Sequence, residues 1–276
     1  MINNLGIDNP LVSILIPCYN HENFIEDCLK SVLRQTYTNI EIILIDDNST
    51  DQTYQIVEMY REELERHFVR VVIKKNSTNQ GVCAVSNRLL EMSKGKYIKF
   101  IASDDALVFN GIDNYVRFMN SNPKCLVALA NIAHIRENDH YEFPDLELLP
   151  LTYQEDPFEK GENVLSKLYN GNFISAPAVF FRKSVFEKYG FFDESLLYED
   201  WEYWLRIVSK GEQFYYLNVV CVYYRNVASS LSHNIRARLQ SQWDTLQVIL
   251  ERYKKKVDTD TMLKSIYGYS ISYMRE

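Results

Sequence analysis

The chain lacks any pair of cysteines at metal or redox spacing. Cys18, Cys28, Cys83, Cys125 and Cys221 are odd in number and scattered, with no Cys-x-x-Cys and no histidine at zinc spacing. A disulfide scaffold and a zinc module are therefore not expected, and these residues read as reduced packing groups. A basic stripe is missing as well. At a net charge of -7 a nucleic-acid backbone is a poor main partner, so the expected partners are small, or charged through a bridging metal. No stretch approaches the roughly 20 apolar residues of a membrane span. The start, Met1 to Pro10, has neither the basic flank nor the apolar core of a signal peptide. The expectation is a cytoplasmic protein, soluble or attached to the inner face of a membrane from one side.

Two nucleotide-binding signatures are also absent. No Gly-x-Gly-x-x-Gly follows the first apolar run, and there is no Walker-type Gly-Lys-Ser/Thr loop, so hydride transfer on a dinucleotide fold and P-loop chemistry have no residues to rest on.

What is present is enough apolar material for a full core, 46% of 276 residues, with a pattern that alternates strand and helix. Val12 to Pro17 reads as a buried strand, Asn23 to Gln35 as an amphipathic helix, Ile40 to Ile45 as a second strand and Thr50 to Glu65 as a second helix. Val69 to Lys74, Val82 to Met92 and Tyr97 to Ala102 continue the series, with Gly95 as a helix stop. This is the pattern of a parallel sheet with crossover helices, whose ligands bind beyond the carboxyl ends of the strands. Further on, Asn114 to Asn120 has helical spacing and Leu126 to Ala130 is a short apolar run. Arg136 to Glu162 reads as a variable loop, Asn172 to Arg182 as a strand, Ser184 to Tyr189 as a helix stopped by Gly190, Trp201 to Ser209 as an amphipathic helix, and the chain beyond Arg236 as helical.

Asp104-Asp105 follows the run Tyr97 to Ala102, at the point where a buried strand should emerge. Hard divalent cations take oxygen ligands and share them with phosphates, so paired carboxylates at an exposed strand end point to a metal and diphosphate site. The plainer reading of the same pair is a solvated turn that caps the next helix. Asp46-Asp47 ends the second strand in the same manner, and an Asx turn is its plainer reading too.

Three blocks together resemble a known family. VSILIPCYNHENFIEDCLKSVLRQTYTNIEIILIDDNSTDQT at 12 to 53, NQGVCAVSNRLLEMSKGKYIKFIASDD at 79 to 105 and FFDESLLYEDWEYWLRI at 191 to 207 resemble, in order and spacing, the family 2 glycosyltransferases, over roughly residues 11 to 232. The resemblance implies an α/β GT-A fold, a Rossmann-like, mostly parallel central sheet flanked by helices. Residues 1–115 would form the nucleotide-sugar-binding half, 116–232 the acceptor half and 233–276 a C-terminal helical extension. It implies inverting transfer of a sugar from a nucleotide-diphosphate donor, a UDP-sugar by preference, to a saccharide or lipid-linked acceptor in polysaccharide or glycoconjugate synthesis, with Mn2+ or Mg2+ as cofactor.

By the same resemblance Pro17, Tyr19, Asn20, Glu22, Asp46, Asp47 and Asp104 would bind the nucleotide, and a carboxylate accepting from the uracil N–H suits Asp47. Asp105 is implied as the direct metal ligand, with Asp104 toward ribose or metal and His233 completing the shell. Asp200 matches the position of the general base, and Glu199, Trp201 and Arg225 are acceptor or phosphate candidates. Ala102 departs from the commoner Asp-x-Asp-Asp form, which leaves open which acid does which job. It also leaves open a non-catalytic sugar-nucleotide binder; a nucleotidyltransferase is a further alternative, but the loop Pro17 to Asn20 is neither Gly-rich nor basic. In the C-terminal segment Arg252, Lys254, Lys255 and Lys256 lie beside apolar residues, a pattern that suits contact with an anionic membrane, or equally a helix packed on the catalytic domain or a second subunit.

Overall fold

The computed structural model describes residues 9–139, 149–158, 163–228 and 235–253. The first half follows the apolar runs closely. Strands β1 (Val12–Cys18) and β2 (Ile40–Asp46) are buried almost throughout, as continuous Ile/Leu/Val runs covered on both faces must be. Helices α1 (Ile25–Leu33), α2 (Thr53–His67) and α3 (Val82–Met92) carry the chain from strand to strand, and β3 (Arg70–Lys75) and β4 (Tyr97–Phe100) complete a parallel set in the order β3-β2-β1-β4.

The second half continues the same sheet with mixed directions. After the short β5 (Ala106–Leu107) come α4 (Gly111–Ser121), β6 (Val127–Arg136), α5 (Val164–Asn170), a single 3₁₀ turn at Ala176–Ala178, β7 (Val179–Arg182), α6 (Ser184–Tyr189), α7 (Asp200–Val208), β8 (Phe214–Asn226) and α8 (Ile235–Tyr253). Among the described residues one eight-stranded sheet runs β3-β2-β1-β4-β7-β6-β8-β5. It is antiparallel where β7 meets β4 and β6 and where β5 meets β8, and parallel elsewhere.

Glu41 is a charge set inside the buried strands. The Glu41 carboxylate accepts from Ser13 Oγ at 2.5 Å, Arg70 Nη1 at 2.5 Å and the Lys94 and Gly95 N–H groups at 2.5 and 3.1 Å. It ties β1, β2, β3 and the turn before β4 into one knot. Gly95 belongs to this knot and is not a helix stop, since α3 has already ended at Met92. A Cβ at Gly95 would lie 2.5 Å from Ser13 Oγ.

Two further expectations are corrected. The run at Leu126 continues as strand to Arg136, because nearly all its residues as far as Ile135 are buried and it stays paired with β8 along its length and with β7 at its start. Of the segment Asn172 to Arg182 only Val179–Arg182 is strand; a 3₁₀ turn at Ala176–Ala178, with Pro177 lacking an N–H to donate, interrupts it. Helix α5 and strands β5 and β8 have no counterpart in the reading of the sequence.

Candidate active site

The loops after β1 and β2 are fastened together before any ligand is considered. Asn20 N–H donates to Ser49 Oγ at 2.9 Å, Asn20 Oδ1 accepts from Thr50 N–H at 2.9 Å, His21 N–H donates to Thr53 Oγ1 at 2.8 Å, and Glu22 accepts from Gln52 N–H at 2.8 Å. Asn20 and Asn48 hold the left-handed backbone, at φ 53° and 67°, which asparagine tolerates better than most side chains. Pro17 is partly covered near the end of β1, and Tyr19 stands 45% exposed in the loop that follows.

Asp46 and Asp47 behave differently from each other. Asp46 Oδ1 accepts from Ser49 N–H at 3.0 Å, three residues on and short of α2, so the helix-capping Asx turn expected of this pair is not formed by it, while its Oδ2 is buried with no hydrogen-bond partner among the described residues. Asp47 is also buried. Its oxygens accept from Asn76 Nδ2 at 2.7 Å, from Gln80 N–H at 2.9 and 3.0 Å and from Gly81 N–H at 2.9 Å, pinning the start of α3 to the end of β2. A carboxylate has about four acceptor positions, so little of Asp47 is left for a base edge.

Asp104 and Asp105 part company as well. Asp104 is partly open and lies 3.9 Å from His21 Nδ1, which bonds Ser103 Oγ at 2.7 Å. Asp105 is 1% exposed, which corrects the expected exposed strand end: Oδ1 accepts the Arg225 N–H at 2.9 Å and Oδ2 is buried without a partner among the described residues. Burial, and then the neighbouring Asp104, hold the Asp105 carboxyl well above the usual range.

Arg225 is corrected in the same way. Its guanidinium is not offered to a phosphate: Nε donates to Asp104 O at 2.9 Å, Nη1 to the carbonyls of Arg136, Glu137 and Asp139, and Nη2 to Asp27 at 3.1 Å. It braces the Asp104-Asp105 turn from behind.

Glu199 and Asp200 open α7, both half-buried. Asp200 Oδ1 accepts Trp201 N–H at 2.7 Å and Oδ2 accepts Asn172 Nδ2 at 2.7 Å. Burial raises the Asp200 carboxyl against the pull of those two donors, and burial with Asp200 alongside pushes Glu199 up to about 7. Trp201 is corrected from acceptor platform to core: it is 5% exposed and its indole N–H donates to Leu168 O at 2.7 Å. His233 lies outside the described residues.

The start of α3 joins the two regions. Asp47 holds Gln80 and Gly81 on one side, and on the other Cys83 Sγ donates to Leu196 O at 3.1 Å while Asn87 grips Phe192 and Glu194, fixing the segment that leads into Glu199-Asp200. His21, Ser103 and Asn172 were missed by sequence reasoning. His21 lies inside the quoted block 12 to 53 and Ser103 inside the block 79 to 105, but nothing local to either points to the other, 82 positions away.

The donor set can also be weighed against a metal. Among the described residues no group of three His, Cys, Asp or Glu forms a cage. One accessible carboxylate, Asp104, backed by the partnerless Asp105 Oδ2, fits a hard cation that takes its remaining ligands from phosphates and water.

The comparisons with known proteins give the family. The model of glycosyl transferase family 2 matches residues 13–190, and the chain belongs to that family. It is 32% identical over 242 residues, 87% of this chain and 86% of the relative, to the UDP-Glc:alpha-D-GlcNAc-diphosphoundecaprenol beta-1,3-glucosyltransferase WfaP of Escherichia coli. Among solved structures, S. aureus TarS 1-349 in complex with UDP-GlcNAc has a TM-score of 0.62 at 17% identity, covering 95% of this chain and 81% of that one. The mannosyltransferase PcManGT from Pyrobaculum calidifontis, in complex with GDP-Man and Mn2+, has a TM-score of 0.61 at 16% identity, covering 97% and 76%. These two likenesses show the GT-A-type fold. The chain is thus a glycosyltransferase, and no helix among its described residues is long and apolar enough to cross a membrane.

Proposed function

We propose that the chain transfers a hexose from a UDP-sugar, of the UDP-glucose class, to a saccharide carried on a lipid diphosphate, with inversion at the anomeric carbon. The observation that carries this reading is Asp200, a half-buried carboxylate with both oxygens fixed and its basicity raised by its surroundings, at a helix start joined through α3 to the nucleotide loops. The match to WfaP over most of both chains supports the donor and acceptor classes.

In the reaction the acceptor hydroxyl oxygen attacks the anomeric carbon from the face opposite the diphosphate. The new C–O bond forms as the bond to the diphosphate oxygen breaks, UDP leaves with the electron pair, and Asp200 takes the hydroxyl proton, a role typically worth about 10²–10⁴ in rate. Tyr19, exposed beside the loop, offers a face to the uracil. Asn20, Glu22, Asp46 and Asp47 act by holding the loops in place, with Pro17 near the end of β1 beside them. Asp104 would hold Mn2+ or Mg2+, with Asp105 behind it, and the ion when bound neutralises charge developing on the diphosphate. Arg252 pairs with Asp193 and Glu202, so any contact of the C-terminal basic cluster with an anionic membrane falls to Lys254, Lys255 and Lys256, outside the described residues.

The test is transfer by the purified protein from UDP-glucose, UDP-GlcNAc and GDP-mannose to a GlcNAc-diphospholipid, with Mn2+ and with excess chelator. Transfer from UDP-glucose that chelation suppresses is expected. Preference for GDP-mannose removes the uridine assignment, full activity in chelator removes the metal role, and donor binding without any turnover makes the chain a binder.

A further inference from the structure

Asn172 occupies an exposed loop after α5, directly following Gly171, whose φ is 154°. Its amide is oriented by its own turn. Oδ1 accepts Ile174 N–H at 3.2 Å, so the NH₂ end is the one turned to Asp200, where Nδ2 donates to Oδ2 at 2.7 Å. The loop in turn is held by Tyr153, whose hydroxyl accepts Ser175 N–H and donates to Phe173 O, both at 2.9 Å. A side chain exposed to water that is nevertheless fixed at its acceptor end and spends its donor end on one carboxylate oxygen is not packing a core.

We propose that Asn172 is a positioning residue for the transfer base: it sets the rotamer of Asp200 together with Trp201 N–H and stabilises its charged form. The proposal rests on the reading of Asp200 as the base. The groups facing Asp200 are Glu199 beside it at the cap of α7, Cys83 on α3 and Tyr153 on the 149–158 segment. Burial raises both Cys83 and Tyr153 above their ordinary values, so neither becomes anionic near neutrality. Glu199 titrates near 7 and must be held constant in the test. A donor to the charged form of a carboxylate lowers its pKa, and removing the donor raises it. Replacing the donor with a second carboxylate raises it further.

The experiment records kcat against pH for transfer by the parent, Asn172→Ala and Asn172→Asp, each carrying Glu199→Gln, together with calorimetric UDP affinity and transfer by Asp200→Asn. The acid limb is expected to move up by about one pH unit in Asn172→Ala, the scale of a hydrogen bond to a charged group, and further in Asn172→Asp, while UDP affinity changes less than twofold. Near wild-type transfer by Asp200→Asn overturns the base reading itself. If Asp200→Asn is inactive, an acid limb that stays put in both Asn172 variants, or a loss of UDP affinity that accounts for the lost rate, overturns the positioning role alone.

Discussion

Asp104 and Asp105 are adjacent in sequence and opposite in environment, and the difference is measurable. Asp105→Ala leaves the buried Arg225 N–H without an acceptor and is expected to cost about 1–3 kcal/mol of unfolding free energy. Asp105→Asn keeps an acceptor and drops the charge, and should unfold near the wild-type temperature. Asp104→Ala, at a partly open position, should leave the melting temperature unchanged while removing Mn2+-supported transfer; a melting temperature equal across all three would contradict the division of roles. Glu199 gives a second test at this scale. Burial and Asp200 raise it from an ordinary 4.5 to about 7, so the folded state retains a proton that the unfolded chain releases first, and stability falls as pH rises from about 4.5 to about 7. Glu199→Gln should flatten that fall in a series of melting curves, and an unchanged slope would show that Glu199 does not titrate there. At this scale the acidic pairs were legible as motifs, whereas their orientation was not. Whether a carboxylate turns outward or accepts a backbone N–H depends on partners such as Arg225, 120 positions away from Asp105.

Helix and strand positions were most legible where burial alone decides them. The strands β1 and β2 are buried on both faces and read as unbroken apolar runs, and α3 and α6 fall where their periodicity and the Gly190 stop place them. Strand β8 was not, for a physical reason. Its middle residues are half-covered or exposed while its end is buried, and its pairing with β6 shifts register between Ala130 and Ile132, so no single period runs through it. Glu41 shows the converse, a charge inside a strand that still read as buried because the knot of Ser13, Arg70, Lys94 and Gly95 satisfies it. Burial acts to raise its pKa, but the hydrogen bonds from Ser13 and Lys94 and the Arg70 charge prevail and leave it lowered. Its contribution is therefore present above about pH 4.5 and lost as pH falls through the folded-state value. Glu41→Ala should cost about 2–4 kcal/mol in denaturant unfolding; a cost under about 0.5 kcal/mol would mean that water replaces the carboxylate.

At the scale of the whole molecule, one sheet carries both the loops after β1 and β2 and the strands that lead to the acidic helix start, and α8 is fastened behind that helix. Glu202 on α7 is buried and bonds Arg206, Arg252 and the Tyr253 hydroxyl at 2.9 Å, while Arg252 also reaches Asp193 at 2.5 Å. The C-terminal helix thus packs on the back of the element that presents Asp200, the packing alternative foreseen for this segment. On the proposed reading the donor loops and the base Asp200 lie on different elements, both tied to the start of α3. The decisive measurement is the anomeric configuration of the product, read by proton NMR from transfer of the α-linked glucose of UDP-glucose, with Asp200→Asn run in parallel. A β-linked product that falls by about 10²-fold or more in rate in Asp200→Asn, with UDP affinity retained, is the predicted result; an α-linked product, or undiminished transfer by Asp200→Asn, would contradict it.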